Sequence, residues 1–291
     1  MSPGLGHVLA AVVFSVLVSV LLKLFPRRGI DTAQAVTWNY LAAGLLCGAL
    51  LAPPLDTLRG EGTPWPALLA LAVVLPTLFL VLAGAVRRAG IVRTDVAQRL
   101  SLLLSLAAAF LYFGEQAGGQ RLAGLGLGLV AMLAILARPA GGQAARCAGL
   151  ALLAVWIGFA LVDVMLKLIS QAGTPFAASL LVAFSLAFVG MLAVQCLRHV
   201  RGRTRLGWRH LWAGLALGVL NFGNIISYVL AHRALPDNPA VVFATMNIGV
   251  VVLGTLVGTV AFGERTSVWN RAGIGLAVVA IAMIAFAPAA G

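Results

Sequence analysis

Two oppositely charged residues, Asp163 and Lys167, lie four positions apart in the otherwise apolar stretch GFALVDVMLKLIS (158–170). In a helix this spacing puts both side chains on one face, where they can form an ion pair. A charged group at the centre of a membrane helix costs about 2.5–3.5 kcal/mol on insertion scales, so it usually faces a cavity or a partner. Asp163 can therefore bind a cationic group or a proton, and Lys167 is a further candidate for binding substrate or a proton. Alternatively, Asp163 only pairs with Lys167 while the lysine reaches the interface.

A second set of polar side chains lies in the stretch LNFGNIISY (220–228). Asn221, Asn224 and Tyr228 are spaced i, i+3, i+7 and so share one helix face. This stripe suits a water-filled cavity that binds a polar solute, and it equally suits hydrogen bonds between membrane helices. All three residues are candidates for substrate binding.

Further candidates lie near the predicted helix ends. Gln98 and Asn247 occupy matching positions in the two halves of the chain. Arg99 can reach towards an anionic substrate, but an ion pair with Asp95 at the membrane edge is the favoured interpretation. Asn39 follows Trp38 at the start of an apolar segment, and its amide needs a hydrogen-bonding partner in lipid. It is therefore a candidate for lining a cavity.

The composition defines the elements that must hold these residues. The chain is 62% hydrophobic and 10% charged, whereas soluble proteins average about 25% charged residues. Uncharged apolar runs of about 18 residues or more are typical of transmembrane helices. The sequence predicts an all-α integral membrane protein with ten transmembrane helices, at 5–25, 34–52, 66–86, 96–113, 122–137, 147–168, 176–197, 211–231, 239–262 and 272–288.

The chain also repeats itself. LVSVLLKL (17–24) matches LVDVMLKL (161–168), and FGEQAGGQRLAGLGLGLV (113–130) matches FGERTSVWNRAGIGLAVV (262–279). These matches predict two five-helix repeats, residues 1–139 and 146–291. Because five is an odd number, the second repeat must cross the membrane in the opposite sense. Inverted repeats around a central cavity are typical of secondary transporters.

The repeat separates the two charges of the first stretch. Lys23 occupies the position of Lys167, but Ser19 stands where the second half has Asp163. A lysine that recurs without an acidic partner favours a structural role for Lys23 at the helix end. Asp163 occurs once, so it is the more distinctive site candidate.

Several motifs of the sequence resemble those of a known family. FGE closes the fourth and ninth spans with Glu115 and Glu264, each followed nine residues later by a glycine, and TWNYLAAGLL (37–46) and LGVLNFGNIISYVLAHRAL (217–235) add to the likeness. The two halves resemble EamA-type repeats of the drug/metabolite transporter superfamily. The resemblance implies a ten-helix fold of two inverted repeats around a central cavity, import or export of small solutes, and cytoplasmic termini.

The two glutamates of this motif have an expected structural role. A carboxylate at a helix end can accept hydrogen bonds from the N-terminal amides of the next helix. We therefore expect Glu115 and Glu264 to stabilise helix ends.

Charge predicts the orientation. Sixteen of the 20 Lys and Arg residues lie in or beside the loops that join odd-numbered to even-numbered spans. The positive-inside rule puts those loops in the cytoplasm and both termini outside, opposite to the orientation that the resemblance implies. We expect a multi-pass protein of the cytoplasmic membrane.

These observations favour one function class. The chain has no GxxxxGK[ST] motif, so we expect a secondary transporter that moves a small solute by alternating access, with proton coupling left open. A flippase of the same fold for lipids or amphiphiles is the alternative. A membrane-embedded enzyme is disfavoured, because the eight acidic residues and four histidines are dispersed.

The expected partners follow from the same features. We expect a small-molecule substrate and the lipid bilayer, and the sequence does not decide between a monomer and a homodimer. The net charge of +12 comes from short loops, which suit anionic lipid better than nucleic acid. Three scattered cysteines and dispersed histidines favour neither a metal site nor a cofactor.

Overall fold

The structure is a computed structural model that describes residues 3–60, 62–111, 118–136 and 143–287. These residues form α-helices together with one short 3-10 helix, Leu55–Arg59. The α-helices are α1 (Pro3–Arg27), α2 (Thr32–Leu51), α3 (Trp65–Ala89), α4 (Ile91–Arg99), α5 (Ser101–Leu111), α6 (Gly119–Leu136), α7 (Gln143–Gln171), α8 (Phe176–Val200), α9 (Trp208–Ala234), α10 (Pro239–Val260) and α11 (Val268–Ala285).

Nine helices of the described residues are long and apolar enough to cross a membrane, and they correspond to nine of the ten predicted spans. The predicted fourth span, 96–113, is instead divided between α4 and α5, and its last two residues lie outside the described part. The division falls at Leu100, whose carbonyl accepts the Leu103 amide at 3.0 Å in a tight turn. The same carbonyl accepts the Trp156 indole N–H at 2.7 Å, which favours this local break in the α-helical pattern.

The helices pack into two compact units. The first unit comprises the described residues within Met1–Val20, Gly84–Ala160 and Gly223–Gly291, and the second comprises those within Leu21–Ala83 and Leu161–Phe222. Each unit takes residues from both predicted repeats. Compact units and sequence repeats divide a chain by different criteria, so the two repeats and their inverted arrangement stay predictions.

The first unit has an apolar core around α4, α6, α10 and α11. Val96 of α4 and Leu100, which follows α4, pack with Met132 of α6, Val251 of α10 and Ile284 of α11. Glycine also lets α6 approach α5 closely, since a Cβ atom at Gly128 of α6 would lie 2.5 Å from the Leu103 side chain of α5. A second core cluster joins valines of α1 to α10 and α9.

The second unit is built on the packing of α2 against α8 and α9. The buried Tyr40 ring of α2 meets Phe184 of α8 at 5.9 Å and Phe79 of α3 at 6.0 Å between ring centroids. Gly214 and Gly218 of α9 form a GxxxG pair against the backbone of α2. A Cβ atom at Gly218 would lie 2.6 Å from the Asn39 carbonyl oxygen. Small residues at this spacing are a common means of close helix packing in membranes.

Candidate functional site

A buried carboxylate lies in the first unit, where α1 meets α4. The Asp95 side chain of α4 is 2% exposed, and its Oδ1 atom accepts a 2.7 Å hydrogen bond from the Ser19 hydroxyl of α1. Its other oxygen, Oδ2, is buried and has no hydrogen-bond partner among the described residues. A carboxylate can accept about four hydrogen bonds. One of its two oxygens is therefore held, and the other faces the helix packing without a donor.

Arg99 lies one turn further along α4. Its Nη2 atom donates a 2.6 Å hydrogen bond to the Ser15 hydroxyl of α1, and its Nη1 atom lies 3.5 Å from the Asn247 side-chain oxygen of α10. The Asn247 amide donates in turn to the Phe243 carbonyl at 2.8 Å, which fixes its orientation. A guanidinium is thus held by neutral oxygens beside a buried acid.

We call Ser15, Ser19, Asp95, Arg99 and Asn247 the buried polar cluster. Ser15 of α1 pairs with Arg99 of α4, and Ser19 pairs with Asp95, so the paired residues follow opposite chain directions in the two helices. Each helix contributes two residues four apart, which face the same side. The cluster therefore brings together a carboxyl group, a guanidinium and an amide within apolar helices, where polar groups are typically functional.

Two contacts distant in sequence hold α4 in this position. The helix starts after Gly90, whose φ of +90° is accessible to glycine at little cost. Glu264 accepts the Ile91 amide at 2.7 Å and the Val92 amide at 3.1 Å. Arg93 donates to the Ile135 carbonyl at 2.6 and 2.9 Å, at the C-terminal end of α6. These bonds satisfy helix-end groups that would otherwise lack partners.

Glu264 thus caps α4, a helix that begins 173 positions earlier in the chain, whereas the expectation concerned the helix that follows Glu264. The next helix, α11, takes its N-terminal hydrogen bond from Ser267, whose hydroxyl accepts the Asn270 amide at 3.1 Å. The difference arises because Glu264 lies beside Gly90, where a Cβ atom would come within 2.5 Å of the carboxylate. Glu115 lies outside the described residues, so its expected helix-end role stays a prediction.

Two other candidates meet in the second unit. The Asn221 amide of α9 donates a 3.2 Å hydrogen bond to the Asn39 side-chain oxygen of α2. Asn39 is fully buried, and its own amide nitrogen has no hydrogen-bond partner among the described residues. The pair joins α2 to α9 where Gly218 allows their close approach, which fits a structural role as well as a binding role.

The remaining residues of the polar stripe lie in the first unit. Asn224 is half-buried, and its side-chain oxygen has no hydrogen-bond partner in the described part. Tyr228 packs against the α1–α10 valine cluster, with its ring edge-on to His232 at 4.6 Å between centroids. The stripe therefore contributes to both units, Asn221 to the second and the other two residues to the first.

Asp163, the most distinctive candidate from sequence, is an exposed residue of α7. Lys167 on the same helix and Lys23 on α1 are half-buried. Gln98 is half-buried on α4, where its carbonyl accepts the Ser101 hydroxyl at 2.7 Å. The site assignments of these residues stay predictions.

A polar network at helix ends of the second unit joins the start of α2 to the end of α8 and the segment that follows α8. Asp31 caps α2 through the Ala33 amide, and its Oδ2 atom accepts bonds from Arg198 at 2.9 Å and Thr204 at 3.1 Å. Burial raises the pKa of Asp31, but hydrogen bonds from Arg198, the Arg198 charge, and bonds from Ala33 and Thr204 together hold it below its ordinary value of 3.8. The side-chain amide of Gln34 also donates a hydrogen bond to the Thr204 hydroxyl oxygen, at 2.6 Å.

The sequence alone does not indicate Asp95 as a binding residue, although its spacing from Arg99 predicts an ion pair. The predicted fourth helix began at residue 96, which put Asp95 at the membrane edge. Because α4 begins at Ile91 instead, Asp95 lies within a helix and is buried. The available signal was its spacing of four from Arg99 together with two serines of the same spacing in α1.

Comparison with known proteins agrees with this architecture. A model of the EamA-like transporter family matches residues 2–137, close to the first predicted repeat. An uncharacterized protein of Haemophilus influenzae is 38% identical over 282 residues, which cover 94% of this chain and 96% of that protein. A solved structure described only as "Crystal structure of protein" covers 94% of this chain and 96% of its own, with a TM-score of 0.54.

The solved structure is 19% identical, so it supports the fold alone. The family match and the relative that spans nearly the whole chain agree with the nine apolar helices. The chain is therefore a multi-pass membrane protein that belongs to the EamA-like transporter family of the drug/metabolite transporter superfamily.

Proposed function

We propose that the protein is a secondary transporter that moves a small solute across the cytoplasmic membrane by alternating access. Its family is a family of transporters, and its sequence repeat favours two inverted five-helix halves. The absence of a phosphate-binding loop motif in the sequence favours a solute or ion gradient as the energy source.

The observation that carries this proposal is the buried polar cluster. Arg99 and Asn247 offer a guanidinium and an amide that can bind a carboxylate or another anionic group of a solute. Neutral side chains of the cluster, Ser15 and Asn247, hold the guanidinium in the absence of solute. An anionic group can replace these neutral acceptors, and the hydrogen bonds become stronger because both of their partners are then charged. We therefore propose a small anionic solute as the substrate class.

A thermal-shift screen tests this substrate class. The purified protein is heated with a metabolite library sorted into anionic, neutral and cationic compounds. We expect stabilisation by members of the anionic class, and loss of that stabilisation in Arg99→Gln. Arg233→Gln is the matched control, since Arg233 is an exposed residue near the end of α9. Equal stabilisation of wild type and Arg99→Gln by the same compound would remove Arg99 from the proposed site.

A transport assay then tests the function. Proteoliposomes are loaded with an unlabelled compound that the screen identifies, and wild type should exchange it for the labelled compound outside. Arg99→Gln should exchange at least about tenfold more slowly, because it loses a charge-assisted bond worth about 1.5–3 kcal/mol. Movement of labelled lipid without any solute exchange would instead support a lipid flippase.

A further inference from the structure

The second oxygen of Asp95 is in an unusual environment. Asp95 Oδ2 lies against Gly254 of α10, where a Cβ atom would be 2.5 Å from it. It is buried and has no hydrogen-bond donor among the described residues. A carboxylate deprived of water and donors is costly, whereas a neutral carboxylic acid needs fewer partners.

We propose that Asp95 is a proton-binding site, in which the Ser19 hydroxyl serves both the ionised and the neutral carboxyl group. In the ionised form Ser19 donates to Oδ1, as the 2.7 Å bond shows. In the neutral form a proton on Oδ1 can be donated to the Ser19 oxygen, because a hydroxyl both donates and accepts. The pair can therefore change protonation state without moving either helix.

The close packing favours a proton over a metal ion. A sodium or calcium ion needs several oxygen ligands, and calcium takes six to eight. At Asp95 Oδ2 the space is closed by the Gly254 backbone. The described residues also contain no group of three His, Cys, Asp or Glu side chains that could hold a metal.

The surrounding charges oppose one another, which suits reversible protonation. Arg99 on α4 favours the ionised form, and Glu264 favours the neutral form. Helices α5 and α10 carry no charged side chain. The other charged or titratable residues on α1, α4, α6 and α11 are His7, Lys23 and Arg27 on α1, Arg93 on α4, Arg121 on α6 and Arg271 on α11.

Protonation would change what Arg99 can bind. With Asp95 ionised, the charges of Asp95 and Arg99 sum to zero. With Asp95 neutral, the buried polar cluster carries one positive charge. An anionic solute would therefore bind more tightly to the protonated form, and by linkage the solute would favour proton binding. This coupling rests on the transport function proposed above, whereas the proton site itself does not.

Infrared difference spectroscopy on the full-length protein in liposomes tests the proton site. The pH is stepped from about 9 to about 6, a range in which Asp and Glu side chains with ordinary pKa values of about 4 stay ionised. We expect the C=O stretching band of a carboxylic acid to appear in wild type and in Asp237→Asn, which changes an exposed aspartate between α9 and α10, and to be lost in Asp95→Asn. The absence of the band in wild type, or its persistence in Asp95→Asn, would overturn the proposal.

Isotope labelling keeps the test valid if Asp95→Asn does not fold. Aspartate labelled with carbon-13 at its carboxyl carbon should shift the wild-type band, and the same label should shift no band in Asp95→Glu. An unshifted wild-type band would assign the proton to a glutamate and overturn the proposal. A band that behaves as expected, in a protein that no anionic solute stabilises, would uphold the proton site and contradict the proposed substrate class.

Discussion

Ser19 and Asp95 join α1 to α4 through a 2.7 Å hydrogen bond, in which the serine hydroxyl is the donor to the Asp95 carboxylate. One turn away, Arg99 donates to Ser15 at 2.6 Å, so the two helices are linked at two successive levels. The repeat places Ser19 at the position of Asp163 in the second half. Ser19, whose counterpart in the second half is the exposed Asp163, therefore donates a hydrogen bond to the buried Asp95 of the first half.

Ser19→Ala should destabilise the protein, and more strongly at high pH than at low pH. The substitution removes the donor to Asp95 Oδ1, and an unsatisfied buried polar group costs about 1–3 kcal/mol. The loss should be smaller at about pH 5 than at about pH 9, because a neutral carboxyl group needs the donor less. Thermal unfolding in detergent at both pH values measures this difference.

Thr255→Val is the control for this variant. Among the residues that the structure describes, the Thr255 hydroxyl bonds only to the Val251 carbonyl of its own helix, at 2.7 Å. Its loss should change the unfolding temperature little and equally at both pH values. A Ser19→Ala effect that is independent of pH would mean that Asp95 does not change its protonation state in this range.

Gly254→Ala should lower the unfolding temperature. The added Cβ atom would lie 2.5 Å from Asp95 Oδ2, so the carboxylate must move and its bond to Ser19 must weaken. Overpacking of this kind costs about 1–3 kcal/mol. At Gly275 of α11 a Cβ atom meets nothing within 4 Å, so Gly275→Ala should be neutral or slightly stabilising. Equal stability of the two variants would contradict the close packing around Asp95.

Gly218→Ala should destabilise the second unit by a similar amount, about 1–3 kcal/mol. Here the Cβ atom would meet the Asn39 carbonyl oxygen and the Ala42 Cβ atom, both at 2.6 Å, and backbone atoms cannot move aside as a flexible side chain can. Gly190→Ala on α8 is the control, because nothing lies within 4 Å of its Cβ position. Thermal unfolding compares the two. A harmless Gly218→Ala would show that α2 and α9 do not approach as closely as the structure has them.

Asp31→Asn should destabilise the protein at neutral pH and become harmless in acid. Asparagine still caps α2 but loses the ion pair with Arg198, worth about 1–2 kcal/mol for a partly exposed charge-assisted bond. Because the pKa of Asp31 is lowered in the folded state, its contribution is complete above pH 3.8 and is lost as the pH falls through the lowered value.

Unfolding temperatures of wild type and Asp31→Asn, measured from neutral pH to below pH 3.8, should therefore converge at the acid end. A difference that stays constant over this range would mean that the ion pair does not contribute to stability.

The helices could be predicted largely from hydropathy and charge, because apolar runs of membrane length are a local property of the sequence. The start of α4 could not be predicted in this way. Glu264 caps α4 across 173 positions of the chain, and that contact extends the helix back to Ile91. The error in the helix start also concealed Asp95.

The candidate site shows the same limit. The sequence indicates both Arg99 and Asn247 as candidates, and in the structure the Arg99 Nη1 atom lies 3.5 Å from the Asn247 side-chain oxygen. Asn39 and Asn221 were selected separately and form a hydrogen bond. Spacing along one helix identified the polar residues, but their partners lie on other helices and depend on packing. Burial likewise depends on packing, and it distinguishes Asp95 from the exposed Asp163.

The most direct test of a proton-coupled anion transporter is uptake by proteoliposomes, with the anionic compound that the thermal-shift screen identifies. Wild type should accumulate this solute when the outside is more acidic than the inside. Asp95→Asn should still exchange labelled for unlabelled solute, but it should not accumulate solute in response to the pH gradient. Accumulation by Asp95→Asn equal to that of wild type would contradict the proposal that Asp95 carries the coupling proton.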